Sequence, residues 1–237
     1  HALSAAVCGA LTALTVQPAA AQQQSDSTQL KPVTVTAPPV VEGFKANEAS
    51  SPKFTAPLVD TPRSITVIPQ EVIESTGSVT LTEALRTTPG ITFGAGEGGN
   101  PVGDRPFLRG YDAGTDMFVD GVRDGGFQSR EVFNLEQIEV VKGPSSAYGG
   151  RGGVGGSINL VTKAPRAENS VAGSLSLGTD ATRRITGDIN RALTEDVAFR
   201  LNLMSHQADV AGRDAIELKR WGLAPSITFG MKSRTRV

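Results

Sequence analysis

The sequence holds one cysteine, Cys8, and two histidines among 237 residues. A zinc site needs three or four converging N, S or O ligands, and a disulfide framework needs an even set of cysteines, so neither is available. Aromatic residues are scarce, with Trp 1, Tyr 2 and Phe 9, which leaves few large side chains for a core. An excess of either charge is missing too: 23 Lys and Arg against 24 Asp and Glu give a net −1, whereas nucleic-acid binding asks for a clustered basic face. No apolar run reaches the ~20 residues of a membrane helix; the opening one ends at Val16, before Pro18. What is plentiful is turn chemistry, with 27 Gly and 14 Pro, over a hydrophobic content of 38%, which is that of a folding chain.

Residues 1–21 are small and apolar and close on Ala19-Ala20-Ala21 before three glutamines. This reads as a secretory signal with an A-x-A site, incomplete at its N-terminus because the initiating Met and basic stretch are missing. Cleavage after Ala21 removes Cys8. Residues 22–59, rich in Gln, Ser, Thr, Pro and Ala, read as a linker. Inside it Lys31-Pro32-Val33-Thr34-Val35-Thr36-Ala37 alternates β-branched residues, a pattern suited to pairing with another protein's sheet edge.

From Asp60 the texture turns globular, and residues 60–165 read as a small α+β domain. A strand is expected over 64–68, a helix after Pro69, a second helix over 81–86, and short strands at 106–109, 116–119, 138–142 and 157–161. The long polar spacers, Gly94 to Asp104 and Asp120 to Glu131, are the first places to look for a ligand, because long loops on a small domain are commonly functional. Two stretches, 94–99 and 150–155, match G-x-G-x-x-G. Neither stands between a strand and a helix, which dinucleotide binding requires; they read as tightly turning backbone.

Beyond Pro165 the rhythm becomes period two. Val171, Gly173, Leu175 and Leu177 alternate with serines and Ala172; Ile185, Gly187 and Ile189 alternate with Thr186, Asp188 and Asn190. Val197, Phe199, Leu201 and Leu203 oppose Ala198, Arg200, Asn202 and Met204, and Trp221, Leu223, Ile227 and Phe229 continue the theme. Amphipathic strands of about ten residues between polar turns are the membrane β-barrel pattern. A soluble antiparallel sandwich gives the same alternation, and the export signal favours the outer membrane. Residues 169–237 hold about four such strands, whereas a closed barrel needs at least eight, so the chain reads as part of a longer one.

Signal, strand-forming patch, α+β domain and barrel strands in that order resemble the TonB-dependent receptors of the bacterial outer membrane, in the catecholate-type ferric-siderophore branch. The likeness rests on Asp60-Thr61-Pro62-Arg63-Ser64-Ile65, Phe107-Leu108-Arg109-Gly110-Tyr111, Phe118-Val119-Asp120-Gly121-Val122-Arg123, and the run from Leu135 through Lys142-Gly143-Pro144 to Thr162-Lys163. The resemblance implies an α+β plug domain at 60–165, followed by the first strands of a transmembrane antiparallel β-barrel, 22-stranded when complete. It makes 31–37 a TonB box, with Lys31, Pro32, Val33, Thr34, Val35, Thr36 and Ala37 binding TonB, which is energised by its inner-membrane complex. The cargo is then a ferric siderophore, with outer-membrane lipid around the barrel and no resident cofactor, bound metal or nucleic-acid partner.

The same resemblance places ligand contacts on plug apices: Gly96, Glu97, Asn100 and Arg105; Asp112, Ala113 and Gly114; Arg123, Gln128, Ser129 and Arg130. Arginine suits a ferric catecholate because its planar donors match anionic oxygens, yet residues 94–131 hold four Arg against seven Asp and Glu. Arg109 and Lys142 are implied as latches to barrel-wall glutamates. No catalysis is expected, since His206 is the one histidine left after cleavage and no nucleophile–base pair can be drawn. The alternatives are another cargo in the same architecture (cobalamin, another metallophore or a glycan) and a periplasmic structural or adhesion module.

Overall fold

β-Branched side chains favour extended backbone, and Ser64–Pro69 forms β1. Pro69, which has no N–H to lose, caps the short helix α1, Gln70–Ser75. Helix α2, Leu81–Leu85, opens on a capping box in which the Thr80 side chain and Glu83 satisfy each other's backbone N–H groups. Small strands follow: β2 (Ile91–Phe93), β3 (Pro106–Leu108), β4 (Tyr111–Asp112), β5 (Met117–Val119) and β6 (Val122–Arg123). Two longer ones, β7 (Leu135–Lys142) and β8 (Gly156–Thr162), complete the first part. The computed structural model describes residues 43–51, 54–95, 103–126, 128–144, 153–213, 215–233 and 237. The chain divides into residues 1–38 and 39–237; the expected signal and the expected box at 31–37 lie outside the described residues.

Strands β1, β7, β8, β5 and β6 make one sheet in that order, antiparallel except for the parallel β5–β8 pair. Strands β2, β3 and β4 make a second, three-stranded sheet. The core lies between α2 and these sheets: Leu81, Leu85, Leu108, Met117, Ile138, Val140 and Ile158 are wholly buried. The described part of the second G-x-G-x-x-G stretch, 153–155, leads straight into β8, so no helix N-terminus follows it.

Four longer strands come next: β9 (Ser170–Leu177), β10 (Arg183–Ala192), β11 (Val197–Asp209) and β12 (Glu217–Phe229), paired antiparallel in chain order. Burial along β11 alternates residue by residue, because one face lies against the α+β domain and the other does not. The inward positions are Ala198, Arg200, Asn202, Met204, His206 and Ala208, all buried. The outward row across the sheet is apolar, and Val171, Leu175, Ile185, Trp221, Leu223, Ile227 and Phe229 are exposed. Apolar outside and polar inside is the inverse of a soluble fold and the pattern of a lipid-facing wall.

Candidate functional site

Two loops and helix α2 meet at one end of the α+β domain through a buried charge cluster. Asp104 is 3% exposed. It accepts bonds from the Thr82 hydroxyl at 2.9 Å and the Arg130 backbone N–H at 2.8 Å. The Arg130 guanidinium lies between Asp104, at 3.6 Å, and Asp124, at 3.0 Å, and donates further to the Gln128 and Asp124 carbonyls. Burial pushes the Asp104 carboxyl above its ordinary value, against the opposing pull of Arg130 and Thr82. The cluster staples the loop before β3 to the loop after β6.

The expected apical contacts fall into three groups. Gly96, Glu97 and Asn100 lie outside the described residues. Arg105, Asp112, Arg123, Gln128 and Ser129 keep exposed or half-exposed positions. Arg105 binds Asp112 at 3.0 Å and stands over the Phe107 ring; Arg123 binds Asp116 at 3.0 Å and stands over Phe118. Ala113, Gly114 and Arg130 are buried, which removes them from the surface the sequence expectation gave them. Ala113 belongs to the core, and the Arg130 donors are spent on the loop itself. Each described arginine of the apices thus has an aspartate beside it, so the loops present paired charge.

A second arrangement holds the domain to the strand wall. Cross-strand register sets Arg184, His206 and Arg220 in one inward row on β10, β11 and β12. Glu131, at the start of the segment leading into β7, reaches this row: its oxygens lie 2.8 Å from Arg184 and 2.9 Å from Arg220. Three inward positions along β11, Arg200 grips Asp188 through two bonds, at 2.8 and 2.7 Å, and lies 3.4 Å from Glu136. Lys163, just past β8, binds the same Asp188 at 3.1 Å. Gly222 faces inward beneath Phe133, where a Cβ would stand 2.6 Å from the ring, so the absence of a side chain makes the seat for that aromatic.

The expected latch residues, Arg109 and Lys142, are not among these contacts. Arg109 is exposed, with φ +50° and its N–H bonded to the Gly90 carbonyl, and Lys142 is half-buried at the end of β7. Among the described residues no carboxylate lies within ion-pair distance of either. The contacts seen run both ways: Glu131 and Glu136 of the domain meet Arg184, Arg220 and Arg200 of the wall, and Lys163 of the domain meets Asp188 of the wall. Sequence reading missed Glu131, Glu136, Arg184 and Arg220; the inward phase of the strands is the signal that marks the arginines, since a charged residue facing away from the apolar row must meet something. Between α1 and the wall lies a cavity of about 330 Å³, bordered by Gln70, Glu74, Ser174, Ser176 and Thr186.

A globular domain seated by ion pairs on the polar inner face of a four-stranded wall, with an apolar outer face, is the arrangement of a plug against strands of a membrane barrel. Residues 57–157 match the TonB-dependent Receptor Plug Domain, and the chain belongs to the TonB-dependent receptors. It is 49% identical over 219 residues to the probable TonB-dependent receptor BfrD of Bordetella pertussis, covering 92% of this chain and 29% of that protein. It is 38% identical to the catecholate siderophore receptor Fiu of Escherichia coli K12, covering 98% of this chain and 30% of the relative. The crystal structure of the siderophore receptor PiuA from Acinetobacter baumannii superposes with a TM-score of 0.78 at 49% identity, over 82% of this chain and 28% of that one. The chain therefore spans under a third of the length of these relatives.

Proposed function

We propose that the protein imports a ferric siderophore of the catecholate type across the outer membrane, drawing on TonB for energy. The observation that carries this reading is the plug seated on the polar face of a wall whose other face is apolar, in a chain whose relatives are named as siderophore receptors. In this reading Lys31 to Ala37 adds a strand to TonB, main-chain hydrogen bonds making the grip. Cargo is held between plug apices and barrel loops, with Arg105 and Arg123 offering planar donors to anionic oxygens. Tension on the box then rearranges the plug. No bond in the cargo is made or broken, so the protein acts as receptor and transporter.

The aspartate beside each apical arginine supports a second reading, in which the same architecture takes a cargo that is not anionic. Both are tested with the full-length protein in iron-starved bacteria lacking their own siderophore receptors. The expected result is uptake of radioiron tris(catecholate) that disappears when TonB is deleted or Val33 is changed to Pro, which removes a ladder donor. Uptake of cobalamin or of a neutral ferric hydroxamate, with none of the catecholate, would favour the second reading. Catecholate uptake persisting without TonB would overturn the energised mechanism.

A further inference from the structure

β7 carries a carboxylate in a place where chemistry does not favour one. Glu139 is 1% exposed, with Val67 of β1 and Asn159 of β8 as its register partners. Among the described residues no cation lies within ion-pair distance of it. Its oxygens are met by neutral donors: Gln137 Nε2 at 2.8 Å, Asn159 Nδ2 at 3.0 Å, and the backbone N–H of Ser50. The Asn159 amide is itself oriented, because its oxygen accepts the Gly121 N–H at 3.0 Å, leaving its nitrogen to face Glu139. A buried carboxylate without a cation is costly, and an apolar residue would complete a strand between β1 and β8 more cheaply. The third donor is what an apolar residue cannot hold.

Ser50 belongs to the strap that precedes β1. Hydrogen bonds fold this strap on itself, from Leu58 N–H to the Asn47 carbonyl and from the Thr61 hydroxyl to the Pro57 carbonyl. We propose that Glu139 is a clasp that fixes how much chain a pulling partner can draw on, and that opening it is an early step of energised transport. This rests on the reading of 31–37 as the TonB-binding segment. Ser50 lies thirteen positions past Ala37, and Ser64, where β1 begins, lies twenty-seven positions past it. At full extension these lengths reach about 45 Å and about 95 Å, so the clasp halves the reach of the box while it holds. Glu139 is thus a positioning residue, acting on the tail and not on the cargo.

The test uses the full-length protein in lipid nanodiscs, with Ala49→Cys reporting the strap by maleimide labelling and Val35→Cys reporting TonB by disulfide cross-linking to a TonB cysteine variant. Glu139→Gln puts an amide nitrogen against the donors; Ser50→Pro removes the strap's donor and leaves the sheet untouched. Both are expected to speed labelling about tenfold, as a local opening does, and to raise the TonB cross-link without cargo. Binding of radioiron tris(catecholate) and protease protection of β1 to β8 stay at the unsubstituted level in Ser50→Pro. Unchanged labelling in Ser50→Pro overturns the clasp, and so does loosening of the sheet by Glu139→Gln when Ser50→Pro leaves the strap alone. Absence of any cross-link in the unsubstituted protein overturns the box reading instead, while the labelling rates still decide the clasp.

Discussion

Glu131 stands between two arginines on the wall, and the consequence of removing it follows from what is left behind. Arg184, 7% exposed, and Arg220 then face each other across His206 with their carboxylate gone. Breaking a buried pair from one side costs about 3 kcal/mol, more than the intact pair contributes, because the remaining charge is stranded. Glu131→Ala should therefore lower the urea concentration at which limited proteolysis first cuts the plug of the full-length protein. Pairing Glu131→Arg with Arg184→Glu should recover part of the loss, and a double-mutant cycle showing no coupling would remove Glu131 from the latch. Asp104 makes a prediction in pH. Burial raises its pKa above 3.8, so the folded state holds its proton more tightly than the unfolded chain does. Its favourable contribution is whole below about 3.8 and fades as pH climbs through the raised value. The opening free energy of the Asp104 loop, followed by hydrogen exchange, should fall across that window and lose the slope in Asp104→Asn. A carboxyl midpoint at or below 3.8 by carbon NMR would contradict it.

Where β8 leaves its loop, the backbone takes a shape that L residues rarely adopt and meets other backbone at once. Gly156 has φ +136°, and a Cβ there would lie 2.1 Å from the Val141 carbonyl and 3.0 Å from a Leu108 methyl. Gly110 has φ +85° with nothing within 4 Å. Gly110→Ala should thus cost the strain alone, roughly 1–2 kcal/mol, while Gly156→Ala must also displace β7 or β3. Thermal unfolding of the two variants separates them: Gly156→Ala is expected to lower the midpoint at least about twice as far, and equal shifts would show that the sheet yields there. The elements themselves were legible to different degrees. Period-two alternation marked β1 and β9 to β12, because a half-buried strand writes its two faces into the sequence. The two- and three-residue strands β2, β4 and β6 were not, since so short a segment is defined by its partner and has no period of its own. α2 carried a readable signal in Thr80 and Glu83, three apart in the capping-box spacing.

The two sheets of the plug and the wall of four strands share one interface, and its charges became visible only with the register. Arg184, His206 and Arg220 are neighbours because the β10–β11 and β11–β12 pairings set them side by side; no local pattern links residues so far apart along the chain. The apical site was legible as loops, through their length and Gly content, while the pairing of each arginine with a particular aspartate depends on how the loops close on Asp104 and Asp112. Which residues make the outer face was legible, because alternation separates the two faces of a strand; which solvent that face meets was not, since a soluble sandwich alternates in the same way. Its solvent is testable. Leu223 is 60% exposed on β12, between Trp221 and Ile227 on the same face. If that face meets hydrocarbon, Leu223→Arg places a guanidinium in lipid at up to about 2–4 kcal/mol near the bilayer middle, falling toward the headgroups. In water the same change would make the surface more soluble. Refolding the full-length protein into vesicles and scoring heat-modifiable migration should give a lower folded fraction for Leu223→Arg, with Lys219→Arg, already charged and on the same face, unchanged. An undiminished folded fraction for Leu223→Arg, or a product that stays in solution without detergent, would mean that the apolar row is covered by protein and that the wall is one layer of a soluble sandwich.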